Sequence, residues 1–183
     1  MDWHKHSDLI GRHAFLSPSK HYWINDTPDK LRDRYSNHLA VKRGTELHAY
    51  AAKAIELNRR QPKNADTVNR YINDALGFRM NAETPLFYSY NCFGTADAIS
   101  FNKKLLRVHD LKTGMTPASR AQLDIYVALF CLEYGVDPTE ISMVNRIYQS
   151  NDIDEWEPDP DYILDLMNVI VESDAIVKEM QEL

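Results

Sequence analysis

What the sequence lacks narrows its class before any motif is read. It holds only two cysteines, Cys92 and Cys131. Two thiols cannot build a disulfide framework, and they fit a reducing compartment. They also cannot supply a four-cysteine zinc or iron–sulfur site. No apolar run approaches the ~18–20 residues that cross a bilayer. The opening MDWHKHSDLIGRH has no apolar export core, so a cytoplasmic location and no membrane partner are expected. Internal repeats and low-complexity tracts are missing as well. With 183 residues and no sign of a second hydrophobic core, a single domain is the economical expectation.

A surplus of positive charge is also missing. The net charge is −6, which argues against a uniformly basic nucleic-acid binder. The acidity is local, however. Residues 151–183 carry eleven acids against the single Lys178, whereas residues 1–60 carry eleven Lys and Arg against seven acids. A positive groove is therefore compatible with an acidic pI. Solubility is the default reading of the acidic tail.

In chain order, Ser17-Pro18 reads as a helix cap followed by proline at the first helical position. A helical pattern, in one piece or two, covers 29–60, with Leu47, Ala51, Ala54 and Ile55 at helical spacing. A short helix over Thr67–Leu76 stops at Gly77. Ala82–Tyr90 reads as a strand, placed near an edge by Pro85, and within it Glu83 is one further candidate acidic ligand. Thr116-Pro117 reads as the start of a helix that runs to Tyr134 and ends at Gly135. Ile141–Tyr148 is another strand, DIDEWEPDPD an acidic loop, and Ile163, Leu166, Met167, Ile170 and Val177 form the apolar stripe of a last helix. The alternation gives a mixed α/β fold, a central mixed sheet flanked by helices.

Chemistry concentrates in 94–126. Cys92–Phe101 and Leu105–Thr113 flank the polar corner Asn102-Lys103-Lys104, a β-hairpin pattern. Alternation puts Asp110 and Lys112 on one strand face with Leu106 and Val108, while Leu105, Arg107, His109 and Leu111 point the other way. Asp97, across the hairpin, can bring a second carboxylate to the same spot. Paired carboxylates hold a hard divalent cation such as Mg²⁺ or Mn²⁺, and a neighbouring lysine can orient water or neutralise phosphoryl charge. Alone, Asp-x-Lys reads equally as an exposed ion pair worth ~0–1 kcal/mol. His48 lies on a helix face opened by the small Gly44, and reads either as a packing histidine or as a metal ligand. Gln122 and Tyr126 are neighbours at i and i+4.

Taken in order, Gly44-x-x-x-His48, Gly94-x-x-Asp97, Asp110-Leu111-Lys112 and Gln122-x-x-x-Tyr126 form a set that closely resembles the PD-(D/E)XK nuclease superfamily. The resemblance is to its RecB-like branch, which includes many phage exonucleases, and it extends over most of 15–148. It implies a restriction-endonuclease-like core with an N-terminal helical segment 15–60 and a catalytic hairpin and helix at 82–135; the acidic loop and helix read from the residues at 151–183 complete a single domain over 1–183. It implies that His48, Asp97, Asp110 and the Leu111 main-chain carbonyl ligate one or two Mg²⁺ or Mn²⁺ ions, with Asp97, Asp110 and Lys112 catalytic. It implies that Gln122 and Tyr126 contact DNA; Lys20, Arg34, Lys42, Arg43 and Arg120 are candidate phosphate contacts from charge alone. The implied activity is metal-dependent DNA hydrolysis, as an exonuclease on linear DNA in recombination, repair or phage DNA processing. Structure-specific endonuclease, a catalytically silent DNA- or protein-binding regulator and a small-phosphoester phosphatase are the alternatives. Implied partners are DNA, a homo-oligomer, or a recombination or replication protein; in a phage-encoded chain the location would be the host cytoplasm.

Overall fold

The computed structural model describes residues 5–9 and 11–182. The chain divides into two compact units, Met1–Arg43 and Gly44–Leu183. In the first unit, Pro18–Asn25 forms 3₁₀ turns rather than an α-helix, interrupted at Lys20 by a non-helical backbone (φ −113°, ψ 51°). Ser17 does not cap them; its hydroxyl bonds that of Ser19 at 2.8 Å, and its carbonyl accepts from the Trp23 indole. Asp26 takes a fork from Arg34 at 2.7 and 3.0 Å and the Lys30 ammonium at 3.2 Å.

The second unit holds the sheet. The helical pattern of 29–60 is one helix, α1 (Pro28–Glu56), whose Ala51, Ala54 and Ile55 are buried. The second helix, α2 (Thr67–Gly77), is capped by Asp66, whose side chain accepts from the Asn69 amide. Gly77 remains helical; the chain turns at Phe78 and then at Arg79, which takes φ +54°. Five strands follow: β1 (Asn81–Ser89), β2 (Cys92–Asn102), β3 (Leu105–Lys112), β4 (Ser142–Gln149) and β5 (Asp152–Trp156), in spatial order β1-β2-β3-β4-β5. Neighbours are antiparallel except β3 and β4, which run parallel and are joined through α3 (Ala121–Tyr134). A parallel pair requires such a crossover. The fold is thus a mixed α/β sheet flanked by helices.

Lys103 and Lys104 both take positive φ, 51° and 63°, the backbone of a type I′ turn. This two-residue turn fixes the register of β2 on β3, Asn102 against Leu105. One core cluster packs α3 and α4 (Pro160–Gln181) on one sheet face through Leu106, Val108, Leu123, Val127 and Ile163. The other packs α1 and α2 on the opposite face through Ala51, Ile55, Tyr71, Ile72, Leu111 and Tyr148. The face assignment expected from alternation in β3 therefore holds for Leu106 and Val108 against Leu111.

Two further expectations give way. The acidic DIDEWEPDPD segment is not all loop, because Asp152–Trp156 forms β5. Its charges are met by cations: Arg120 forks onto Asp154, Arg146 pairs with Glu155, and the Trp156 indole donates to Asp124 at 3.0 Å. The helix expected from Thr116 begins instead at Ala121. Gln149 holds the preceding stretch open, donating to the carbonyls of Gly114 (2.6 Å) and Thr116 (2.8 Å) and accepting from the Ala118 amide. Among the described residues no helix is long and apolar enough to cross a membrane.

Candidate metal centre

The sheet opens at Asp97. Pairing of β2 with β3 ends at Ala98 opposite His109, although β3 continues alongside β4 as far as Lys112 opposite Gln149. On its other side, β2 pairs with β1 at Ala98–Ala82 and resumes at Ala96–Thr84, skipping the Asp97–Glu83 position. Side-chain alternation slips here too: Ala96 and Ile99 join the α3-side core, whereas Ala98 joins the α1-side core. A backbone amide freed by this split needs an acceptor, and the Asp97 carboxylate supplies one to Leu111 N at 2.9 Å. Asp97 is therefore held by the same divergence that opens the strands beside Asp110.

His48 arrives from α1. Its Nδ1 lies 3.3 Å from Asp97 Oδ2. That bond raises the imidazole pKa above its ordinary 6.5; burial opposes the rise, and the charges of Asp97, Asp110 and Glu83 support it. One turn earlier, a Cβ on Gly44 would stand 2.6 Å from Thr113 Oγ1. The Gly-x-x-x-His spacing is thus a close helix–strand approach followed by a ligand one turn on.

Glu83 completes a triangle. One ligand atom each from His48, Glu83 and Asp97 lie within 4.8 Å of one another, a spread that ligands ~2.0–2.5 Å from a shared cation can span. Glu83 sits in β1 with φ +44°, a conformation costly for a residue with a Cβ. Burial, then the charge of Asp97, raises its pKa, while His48 lowers it.

Asp110 lies beside them on β3, 2% exposed. Burial is the main cause of its raised pKa; Asp97 adds to the rise, and Lys112 and His48 oppose it. Lys112 Nζ donates to Asp110 Oδ1 at 3.1 Å. The same ammonium lies 3.0 Å from Oδ2, within ion-pair range, yet Oδ2 has no aligned hydrogen bond and is fully buried. The distance describes attraction, and the angle leaves the Oδ2 lone pairs unsatisfied. A buried anionic oxygen without a donor, next to further carboxylates and an imidazole, fits a hard divalent cation. His48, Glu83, Asp97 and Asp110 are the side chains that could hold one, with the Leu111 carbonyl adjacent in sequence.

The Gln122-x-x-x-Tyr126 pair braces this centre from α3. Gln122 Oε1 accepts from Lys112 Nζ at 2.8 Å, so the ammonium is held between Gln122 and Asp110. Tyr126 donates its hydroxyl to the Thr95 carbonyl at 2.7 Å, on the part of β2 that has left β3. Gly94 makes room for this ring: a Cβ there would come within 2.9 Å of it. Behind Asp110, His109 is wholly buried and its pKa is pushed down to about 3, chiefly by burial, so it is neutral at physiological pH.

The structure therefore gathers His48, Asp97, Asp110, Lys112, Gln122 and Tyr126. Arg120 is otherwise engaged, forked onto Asp154 at 2.5 and 2.9 Å and stacked 4.9 Å over Trp156. Lys20 and Arg43 belong to the first unit, where Lys20 lines a depression with Trp23, Arg34 and His38, and Arg43 is exposed. Glu83 is the member of the cluster that the motif set leaves out. The turn at Tyr90-Asn91 pairs Ser89 with Cys92, and only the register shift between Phe87 and Ser89 sets Phe87 against Phe93 and so brings Glu83 level with Asp97; nothing local in the sequence signals that shift. No family model matches the chain, and neither a curated protein nor a solved structure does.

Proposed function

We propose that this chain is a Mg²⁺- or Mn²⁺-dependent deoxyribonuclease that hydrolyses phosphodiester bonds, acting as an exonuclease on linear DNA. The reading rests on one observation: where β2 and β3 part, Asp97, buried Asp110, His48 and a doubly held Lys112 converge. The ordered motif resemblance supports the same chemistry, and the roles in recombination, repair or phage DNA processing belong to that resemblance.

A divalent cation, when bound, lowers the pKa of water and neutralises charge on a phosphoryl group. His48, Asp97 and Asp110, joined by Glu83, would hold it, with the Leu111 main-chain carbonyl as the further ligand that the resemblance implies. Lys112 is paired with Asp110 and aimed by Gln122; it orients the attacking water and offsets charge developing on the non-bridging oxygens. Water forms the new P–O bond as the bond to the leaving sugar oxygen breaks. Its proton passes to solvent, which also protonates the leaving oxygen, and no covalent enzyme intermediate forms. Tyr126 keeps the parted end of β2 against α3, so the gap between the strands stays open to a phosphate.

Incubating end-labelled linear duplex, single-stranded and covalently closed circular DNA with Mn²⁺, Mg²⁺ or EDTA tests this reading. Loss of linear DNA alone, with none in EDTA, is the expected result, and the label gives polarity. Cutting of the closed circle would replace exonuclease with endonuclease. Intact DNA throughout, with Mn²⁺ bound to the protein, would overturn hydrolysis altogether.

A further inference from the structure

We infer that the connection between α1 and α2 carries a second phosphate-recognition site, which seats the backbone of the DNA strand away from the cut. This rests on the nuclease reading for its substrate but uses none of the residues of the metal centre. A depression of about 470 Å³ is lined by Arg60, Lys63, Arg70, Asn73 and Asp74, among others. Three cations face it against one acid. That acid is already engaged, since Asp74 Oδ2 accepts from the Tyr148 hydroxyl at 2.8 Å and from Arg146 at 3.1 Å. Arg60 and Lys63 have no ion pair or side-chain hydrogen bond with any described residue. In a chain of net charge −6, three cations grouped around one acid that is already engaged call for an anion from outside.

The loop bearing them is built rather than slack. Gln61 and Asn73 exchange bonds, amide N–H to Asn73 Oδ1 at 2.9 Å and Asn73 Nδ2 to the Gln61 carbonyl at 3.1 Å. The Tyr50 hydroxyl donates to Gln61 Oε1 at 2.7 Å. Asn64 Oδ1 accepts from the Asp66 amide and from Asn69 Nδ2, both at 3.1 Å. Arg60 and Lys63 thus project from fixed backbone, so binding an anion costs side-chain ordering alone.

Position selects a polynucleotide as the source of the phosphates. Arg70 Nη1 donates to the Asn151 carbonyl at 3.0 Å, and Thr67 hydroxyl and Asn151 bond each other, joining the rim of the depression to the β4–β5 turn. Asn151 is two residues beyond Gln149, the strand partner of Lys112. Two residues of strand and one inter-strand step separate Lys112 from this turn by ~10 Å, roughly three nucleotides at ~3.4 Å of axial rise each. One strand can lie in both places.

The test is anisotropy of a fluorescent 30-nucleotide strand, in EDTA, from 50 to 300 mM salt, for wild type and Arg60→Ala/Lys63→Ala. Both residues lack partners, so the variant keeps the fold, checked by its melting curve. Binding is expected to weaken ~10-fold or more, and the slope of log K against log salt to fall by ~1–2. Hydrolysis of a nucleoside p-nitrophenyl phosphodiester with Mn²⁺, which reaches only the cut, should not change. Unchanged affinity and slope, in a protein that binds and cleaves DNA, would overturn the second site and leave the nuclease reading intact. Loss of binding in the variant with no cleavage by wild type would keep the second site and remove the nuclease. Full displacement of the strand by millimolar deoxynucleoside monophosphate, whose own binding needs Arg60 and Lys63, would overturn the strand-backbone claim in favour of a small-molecule pocket.

Discussion

At the scale of single residues, the centre is a place where charge is kept at a cost to the fold. Asp110 is a carboxylate taken out of water and set beside Asp97, which raises its pKa above the ordinary 3.8. A group with a raised folded pKa supports the fold below the unfolded value and withdraws that support as pH rises through the folded one. At neutral pH, ionised Asp110 is therefore a burden on the metal-free protein. Asp110→Asn keeps the acceptor for Lys112 and removes the charge. Without metal it is expected to gain about 1 kcal/mol, or ~2–4 °C in Tm for a chain this size, while cleavage falls by orders of magnitude. Thermal melts in EDTA alongside a cleavage assay check both; a less stable Asn variant would mean that the ion pair with Lys112 outweighs burial.

His48 gives the same sign of pH dependence from the same site, in the higher window where an imidazole titrates. Its pKa is raised chiefly by the bond to Asp97, so its contribution to stability is complete below its unfolded value of about 6.5 and is lost as pH climbs through the folded value. The pair is partly exposed, 31% and 17% at the two side chains, which limits the effect to ~0.5 kcal/mol. Urea unfolding in EDTA should show His48→Ala costing more at pH 6 than at pH 8.5. Equal cost at both would show that the imidazole does not carry charge against Asp97.

At the scale of elements, the decisive contact is α1 against the end of β3. Gly44 lets the helix approach Thr113, and the approach delivers His48. Gly44→Ala forces a Cβ against Thr113 Oγ1, 2.6 Å away, a short side chain that cannot swing aside. A loss of ~1–3 kcal/mol is expected, with cleavage reduced as His48 shifts from Asp97. Adding Thr113→Ala removes the obstructing oxygen. The double variant should then recover stability and show the ~1 kcal/mol by which alanine outranks glycine within a helix. A double-mutant cycle measures the coupling, and simple additivity would contradict the contact.

Elements were legible in the sequence to the extent that they are encoded locally. The β2–β3 hairpin announced itself by the polar corner Asn102-Lys103-Lys104 between apolar runs, and α4 by its apolar stripe. β5 was illegible because its acids read as a solvated loop; Arg120 and Arg146, distant in sequence, neutralise them in place. The late start of α3 has the same origin, since Gln149 claims the Thr116 carbonyl that would accept the first bond of a helix from there, and holds Gly114 beside it. At the centre, the shared face of Asp110 and Lys112 was readable from strand period, while their place in a site came only from the ordered set of motifs. The bond made by Tyr126 was not readable, because its hydroxyl takes the Thr95 carbonyl on the part of β2 that leaves β3 at the split by Asp97.

For the whole molecule, the layer order follows from alternation of strands and helices, and the distribution of charge matters more than its sum. The acidic end is spent partly within the fold: Ser89 donates to buried Asp174 at 2.5 Å, and Lys178 pairs with it at 2.7 Å, pinning α4 to the β1–β2 end of the sheet. The central claim concerns the four carboxylate and imidazole groups around the parted strands. Titration of the metal-free protein with Mn²⁺ by electron paramagnetic resonance, wild type beside Asp110→Asn and Glu83→Gln, tests it most directly when the same samples are assayed on linear DNA. Wild type should bind Mn²⁺ saturably and cleave. Both variants should bind at least ~10-fold more weakly, and Asp110→Asn should not cleave. Mn²⁺ binding and DNA loss unaltered by Asp110→Asn would contradict the account, since no other buried carboxylate lies beside Lys112 among the described residues.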